Sequence, residues 1–208
     1  MTRCVIVGGA AIGDYETVRA ALKKDDYLIY CDCGLKHREG LMREPSLIIG
    51  DFDSHENPHA EIETIVLPHE KDDTDTVFAV KEAVKRGFTD FLLIGVVGNR
   101  LDHTLGNVAI LEMLDNMGKK AVILDDYSEM EIVGREPKYI EDRFPYFSLL
   151  NIYGVAQGIT VKDAYYPLEN AELTTEFPLG ISNEPLKGKT ASVSVGEGHV
   201  LLIRVRKG

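Results

Sequence analysis

Six short apolar runs in the first 126 residues constrain the fold of this chain more than any other feature. In chain order they are CVIVGG, YLIYCD, SLIIGD, TIVLP, FLLIGVVG and AVILDD. Runs of roughly four to eight apolar residues without polar alternation are typical of strands that are buried on both faces, as in a parallel sheet. The pattern therefore predicts a largely parallel sheet that is covered on both sides.

Helical patterns lie between the later runs. TDTVFAVKEAVKRG places three valines on one face, with Asp73 or Thr74 as the N-cap and Gly87 just past the end. HTLGNVAILEMLDNMG is a second and more apolar helix that ends at Gly118. Strands that alternate with helices predict an N-terminal three-layer α/β domain.

The pattern changes after about residue 128. YFSLLNIYGVAQGITVKDAYYPL, AELTTEFPLGISNEPL and KTASVSVGEGHVLLIRVRKG consist of short strand-like runs divided by Gly, Pro and Asn. Such spacing predicts a C-terminal antiparallel β-sandwich. We therefore expect two domains, residues 1–127 and 128–208.

Composition limits the classes of partner. The formal net charge of −11 argues against binding to nucleic acid or to an anionic membrane surface. No apolar run is long enough to span a bilayer, and MTRCVIVGG fits a first buried strand better than a signal peptide. Three scattered cysteines fit a reduced, cytoplasmic protein. If the ligand is an anion such as a nucleotide, a divalent cation has to stand between the two negative partners.

Aspartates follow several of the predicted strands. Asp32, Asp51 and Asp125 end strand-like runs, and Asp102 lies just past another. Because the carboxyl ends of parallel strands share one edge of the sheet, these side chains are expected to converge there. A single aspartate would serve equally well in a turn or as a helix cap. The whole set favours a ligand site.

Two acidic groups have the spacing of a metal site. Asp51 and Asp53 are two residues apart, so in an extended chain both carboxylates point the same way. Asp72, Asp73 and Asp75 lie at a predicted helix start, where the helix dipole partly offsets their charge. Clustered hard oxygen ligands suit Mg²⁺.

GVVGNRLDHTLGN adds a cation to this edge of the sheet. Arg100 offers a planar fork suited to phosphate oxygens, whereas His103 fits a phosphate donor and a helix-start histidine equally well. No phosphate-binding loop of the Gly-x-x-x-x-Gly-Lys-Ser/Thr type is present, since GGAAIGDY lacks the lysine. The residues alone predict a Mg²⁺-dependent enzyme that transfers phosphoryl groups.

Two apparent metal motifs are set aside. HENPH matches the zinc-protease pattern, but Pro58 interrupts the helix that this chemistry needs. Cys31 and Cys33 lack the spacing of a zinc or redox site and are expected to pack against the sheet.

LIIGDFDS, KDDTDT and GVVGNRLDHTLGN, in this order and spacing, closely resemble the motifs of bacterial thiamine pyrophosphokinases. YYPLENAEL and PLGISNE resemble the C-terminal signatures of that family, so the resemblance covers nearly the whole chain. CDCGLK stands where the family usually has Ala-Asp-Gly-Gly, and Cys33 replaces the first of those glycines.

The resemblance implies a homodimeric, Mg²⁺-dependent enzyme that converts ATP and thiamine into thiamine diphosphate and AMP. It also implies roles for individual residues: Asp51, Asp53 and Asp75 as metal ligands; Asp51, Asp53, Asp72, Asp75, Arg100 and Asp102 as the catalytic set; Asp32, Arg100, Asp102, His103 and Thr104 at ATP; Ser182 and Asn183 at thiamine. Asp72 and Asp102 are the candidates for removing the proton of the thiamine hydroxyl.

Three other functions fit parts of the pattern. A diphosphokinase for another hydroxymethyl heterocycle, such as a pterin, would carry the same acidic motifs, although PLGISNE argues against it. A non-catalytic sensor has no need of several repelling carboxylates. A phosphatase that uses Asp51 and Asp53 as nucleophile and acid would need a lysine and further acidic loops in another order.

Overall fold

The computed structural model describes residues 2–52, 61–68, 73–134 and 136–206. The predicted site residues Asp53 and Asp72, together with the HENPH stretch, lie outside the described residues. The chain divides into two compact units, Met1–Asp126 and Tyr127–Gly208.

The first unit contains a parallel sheet. Its described strands are β1 (Cys4–Val7), β2 (Tyr27–Cys31), β3 (Leu47–Gly50), β4 (Thr64–Val66), β5 (Asp90–Ile94) and β6 (Lys120–Leu124). They follow the order β6-β5-β1-β2-β3-β4, and every pairing is parallel. Each apolar run of the sequence forms one of these strands, so the predicted sheet is confirmed.

Helices connect these strands. They are α1 (Tyr15–Ala21), α2 (Arg38–Leu41), α3 (Asp75–Lys85) and α4 (Leu101–Asn116), and a 3₁₀ segment, Asp32–His37, follows β2. Thr74 is the N-cap of α3, because its side chain accepts a hydrogen bond from the N–H of Val77. Helices α3 and α4 were predicted, whereas the short α1 and α2 were not. None of the helices in the described ranges is long and apolar enough to cross a membrane.

The sheet of the first unit is covered on both faces. On one face Val5 and Val7 pack with Val18 of α1 in a buried apolar cluster. Helix α3 packs against β1 and β2, and its Ala79 and Val80 are fully buried. Because neighbouring strand residues point to opposite faces, both faces need apolar side chains, and this explains the unbroken apolar runs.

The second unit is a β-sandwich. Its described strands are β7 (Ser128–Val133), β8 (Lys138–Glu141), β9 (Tyr146–Leu150), β10 (Val155–Lys162), β11 (Leu168–Thr174), β12 (Gly180–Asn183), β13 (Thr190–Ser194) and β14 (Val200–Val205). They form two antiparallel layers, β12-β9-β14-β7 and β11-β10-β13-β8. Phe147 and Leu202 from one layer and Ile159 and Val193 from the other share a single buried core. The predicted antiparallel sandwich is confirmed.

Candidate active site

A cavity of about 450 Å³ lies at the carboxyl edge of the parallel sheet. Its walls come from residues that follow β1, β2 and β5 and from the start of α3. The residues that line it are Gly8, Gly9, Ala10, Ala11, Cys31, Cys33, Lys36, Thr74, Asp75, Thr76, Gly95, Val96, Gly98, Asn99, Arg100, His103, Thr104 and Asn107. The strand topology predicts a ligand site at this edge.

Three aspartates meet beside this cavity. Asp32 follows β2, Asp51 follows β3, and Asp75 is the first residue of α3. One carboxylate oxygen from each lies within 4.8 Å of the other two. Asp32 is buried and the other two are half-buried. This acidic trio (Asp32, Asp51 and Asp75) concentrates negative charge where little water screens it, and a bound cation would relieve the repulsion.

Gly50 allows two members of the trio to approach each other. β2 and β3 are neighbours, with Cys31 paired to Ile49, so Asp32 and Gly50 lie side by side at the ends of the strands. A Cβ atom at position 50 would lie only 2.6 Å from the Cβ of Asp32. Any side chain at position 50 would therefore push the two strand ends apart.

The trio overlaps the metal set that the family resemblance implied, Asp51, Asp53 and Asp75, of which Asp53 lies outside the described residues. Asp51 and Asp75 are brought together as expected, but the third carboxylate among the described residues is Asp32, which the sequence placed at the nucleotide. Phe52 has a φ of 57°, so the chain after Asp51 is not extended. The premise of an extended chain therefore fails at Phe52, and Asp53 itself lies outside the described residues. The signal for Asp32 was its position directly after a strand-like apolar run.

The residues after β1 form a second wall that the sequence analysis left without a role. In this glycine loop (residues 8–11), the Gly8 N–H donates to the Ile94 carbonyl at 2.9 Å and the Ala10 N–H to the Gly95 carbonyl at 2.7 Å. A Cβ atom on Gly8 would lie 2.6 Å from the Gly95 oxygen. Gly8 therefore allows the loop to pack closely against the segment that follows β5, and a ligand at this wall meets only glycines and alanines. The Gly-Gly pair directly after a buried strand was the available signal.

The start of α4 supplies the cationic wall. Arg100 donates two hydrogen bonds to the Asp102 carboxylate, at 2.9 and 2.7 Å, and both side chains are exposed. The Arg100 guanidinium holds the pKa of Asp102 well below its usual range. Arg100, His103 and Thr104 line the cavity, whereas Asp102, itself fully described, is not among the lining residues.

Two further polar side chains shape this wall. The Thr104 hydroxyl accepts a hydrogen bond from the Gly98 N–H at 3.1 Å. The buried Asn107 amide donates to the Val96 carbonyl at 2.8 Å. These contacts tie the first two turns of α4 to the loop that follows β5, so the cationic wall has a fixed position.

The predicted thiamine residues lie on β12 of the second unit. Asn183 is buried, and its side-chain amide donates to the Tyr166 carbonyl at 2.7 Å. Its amide oxygen accepts hydrogen bonds from the N–H groups of Tyr166 and Glu184. Ser182 has a φ of 59° and is exposed. Asn183 therefore fixes the neighbouring backbone, and Ser182 faces outward.

The fold and the site define a class of protein. Its members have an α/β unit with an acidic, glycine-walled cavity, and the same chain continues into a β-sandwich. The sequence profile "Thiamin pyrophosphokinase, catalytic domain" matches residues 18–123, and the profile "Thiamin pyrophosphokinase, vitamin B1 binding domain" matches residues 135–200. The chain belongs to the thiamin pyrophosphokinase family and is an enzyme of that family, as its motifs predicted.

Known proteins show the same relationship. The chain is 28% identical over 168 residues to the thiamine pyrophosphokinase of Bacillus subtilis, covering 77% of this chain and 78% of the relative. Its fold matches the crystal structure of a Bacillus subtilis thiamine pyrophosphokinase with a TM-score of 0.88 at 22% identity, over 100% of both chains. It also matches the Geobacillus thermodenitrificans thiamin pyrophosphokinase with a TM-score of 0.85 at 25% identity, over 100% of this chain and 99% of that one.

Proposed function

We propose that this enzyme transfers the diphosphate of ATP to the hydroxyl of thiamine, giving thiamine diphosphate and AMP, and that it requires Mg²⁺. The observation that carries the proposal is the acidic trio beside a glycine-walled cavity in a member of this family. The thiamine hydroxyl attacks the β-phosphorus, and AMP is the leaving group.

The donor set of the trio fits Mg²⁺. Three carboxylates within 4.8 Å of one another offer hard oxygen ligands, which Mg²⁺ prefers, and a magnesium site usually takes one or two of them together with phosphate oxygens and water. When bound, Mg²⁺ supplies charge neutralisation for the phosphates. Asp32, Asp51 and Asp75 would hold it, and the additional ligand Asp53 stays a prediction from the sequence.

The residues around the cavity divide the work of binding ATP. Lys36 and Arg100 bring positive charge to an otherwise acidic edge, so we assign them to the phosphates. Arg100 would exchange its Asp102 partner for phosphate oxygens. His103 and Thr104 line the same wall and are proposed as phosphate donors.

Proton removal from the thiamine hydroxyl needs only a weak base, because phosphoryl transfer passes through a loose transition state. The Arg100 guanidinium holds the pKa of Asp102 well below its usual range while the two side chains are paired, and release of Arg100 to the phosphates would remove that effect. We therefore propose both Asp72 and Asp102 as candidates for this weak base.

The second unit is proposed to bind thiamine and to pair with a second copy of the chain. Five large apolar or aromatic side chains between residues 165 and 181 are at least half exposed: Tyr165, Tyr166, Phe177, Leu179 and Ile181. This group, the exposed apolar patch, precedes or borders Ser182 in the sequence and suits both a flat heterocycle and a subunit contact. Asn183 would act through the backbone that it holds, and Ser182 by direct contact.

The cytoplasm is the proposed location of the enzyme. Its three cysteines, Cys4, Cys31 and Cys33, all lie within the described residues, and none of them forms a disulfide. A protein whose thiols stay reduced fits a reducing compartment.

A ³¹P NMR time course with ATP, Mg²⁺ and thiamine tests the proposed reaction. We expect AMP and thiamine diphosphate to form together, and only when thiamine and Mg²⁺ are both present. Formation of ADP or free phosphate instead would contradict diphosphoryl transfer. A pterin alcohol that replaces thiamine with equal turnover would contradict the assignment of the acceptor.

A further inference from the structure

Two neighbouring side chains of the 3₁₀ segment hold consecutive carbonyls of the glycine loop. The Lys36 ammonium donates to the Gly9 carbonyl, and the His37 Nε2 lies 2.8 Å from the Ala10 carbonyl oxygen. The same segment begins with Asp32 of the acidic trio. It therefore links the carboxylates to the backbone wall of the cavity.

The hydrogen-bond partners of His37 fix its tautomer. A carbonyl oxygen only accepts, so the hydrogen must be on Nε2, and Nδ1 is left to accept from the Tyr15 hydroxyl at 2.7 Å. His37 is 2% exposed, and burial lowers the pKa of its imidazole. The neutral ring therefore accepts a hydrogen bond from the Tyr15 hydroxyl at Nδ1 and donates one from Nε2 to the Ala10 carbonyl.

This arrangement sets the orientation of two peptide groups. The group between Gly9 and Ala10 is held at both ends, by Lys36 on its oxygen and by the Gly95 carbonyl on its N–H. In the next peptide group, between Ala10 and Ala11, the oxygen of Ala10 accepts the hydrogen bond from His37 Nε2. Because a peptide is planar and trans, the N–H of Ala11 points away from His37.

Ala11 itself lines the cavity. Backbone N–H groups aligned in a turn form sites for anions such as phosphate. We propose that His37, held by Tyr15, is a positioning residue for nucleotide binding, because it orients the Ala10–Ala11 peptide toward a phosphate of the nucleoside triphosphate. This inference rests on the proposed function, since it takes the occupant of the cavity to be ATP.

The position of the Tyr15 ring is also built into the fold. A Cβ atom on Gly40 would lie 2.4 Å from Cε1 of Tyr15, so only glycine at position 40 leaves room for the ring. The rings of Tyr15 and His37 have their centroids 5.8 Å apart. In this position the ring brings its hydroxyl within 2.7 Å of His37 Nδ1.

Steady-state kinetics of His37→Met and His37→Gln tests the inference. Methionine fills the space without donating a hydrogen bond, whereas glutamine can place an N–H near the position of Nε2. We expect His37→Met to raise the KM for ATP by about tenfold, the value of one hydrogen bond, with kcat and the KM for thiamine unchanged. His37→Gln should recover most of the loss, and Tyr15→Phe should give a smaller rise in the same KM.

Tyr30→Phe is the matched control. Tyr30 is buried in the same unit, and its hydroxyl donates at 2.8 Å to the carbonyl of Arg43, which does not line the cavity. The control should lower Tm without changing the KM for ATP. If His37→Met likewise lowers Tm and leaves the KM for ATP unchanged, or if it raises the KM values for ATP and thiamine equally, His37 only stabilises the fold. Either result overturns the inference.

Three further outcomes are decisive. If His37→Met does not fold, Tyr15→Phe carries the test through its effect on the KM for ATP. If calorimetry shows that the wild-type enzyme does not bind ATP, the proposed function falls and the inference falls with it. Wild-type affinity for ATP in the folded His37→Met variant overturns the inference alone.

Discussion

At the scale of single residues, the acidic trio opposes folding and favours ligand binding. Asp32, Asp51 and Asp75 bring three carboxylate oxygens within 4.8 Å of one another, and like charges at that separation repel strongly when they are partly buried. A cation that binds only the folded state offsets this cost. The trio is therefore expected to make the stability of the protein depend on the metal.

The first prediction concerns Asp51→Asn. Loss of one repelling charge should raise the Tm of the metal-free protein by about 2–4 °C, equivalent to about 1 kcal/mol. Turnover should fall by more than about a hundredfold, because a direct ligand matters more than the outer contacts of a metal site. Thermal melts with and without Mg²⁺, together with product assays, measure both effects.

Asp73→Asn is the matched control for this change. Asp73 lies two residues from Asp75 but outside the trio, and its carboxylate is held by Lys81 at 2.9 and 2.7 Å. The control should leave the Mg²⁺-induced rise in Tm intact. An Asp51→Asn enzyme that keeps the same Mg²⁺-induced rise as the wild type would remove Asp51 from the metal site.

At the scale of elements, the site is set by where strands end. β2 and β3 end at neighbouring positions, and an aspartate directly follows each of them. Gly50 permits this close approach, because a Cβ atom there would lie 2.6 Å from the Cβ of Asp32. The geometry of the trio therefore depends on a residue that carries no side chain.

The second prediction follows from Gly50→Ala. The added methyl group should separate the ends of β2 and β3, destabilise the protein by about 1–3 kcal/mol, and weaken Mg²⁺ binding at least about tenfold. Denaturant titration and calorimetry of Mg²⁺ binding measure the two quantities.

Gly87→Ala provides a control of similar cost. Gly87 has a φ of 92° and open space around its Cα, so alanine there is strained only in the backbone and destabilises by about 1 kcal/mol. It follows the last turn of α3, whereas Asp75 begins that helix. Equal loss of Mg²⁺ affinity in both variants would mean that general destabilisation, rather than the strand ends, governs the site.

At the scale of the whole molecule, the exposed apolar patch of the second unit is the feature that a single chain leaves uncovered. Phe177 is 64% exposed and Ile181 is 52% exposed. Several exposed large apolar side chains within one stretch of the chain favour a partner, and a second copy of the chain is the partner that we propose.

The third prediction tests this assembly. Light scattering after size-exclusion chromatography should give the mass of two chains for the wild type, and Phe177→Ser should shift the mass toward one chain. Tyr139→Ser, which changes a side chain that is 64% exposed on β8 of the other layer of the sandwich, should remain dimeric. A wild-type enzyme that is active as a single chain would contradict the dimer.

The sequence alone determined the α/β unit, the β-sandwich and the family. It could do so because unbroken apolar runs, helical spacing and the acidic motifs are properties of neighbouring residues in the chain. It also predicted that Asp51 and Asp75 lie close together, and the structure places both in the acidic trio. Each had a local signal, the end of a strand for Asp51 and the start of a helix for Asp75.

Only the tertiary structure decided which residues share the site. Asp32 joins Asp51 because β2 lies beside β3, and the glycine loop becomes a wall because β1 lies beside β5. His37 reaches the Ala10 carbonyl across 27 positions of the chain. Strand order and contacts across such separations depend on how the whole unit packs, and a local pattern carries no record of them.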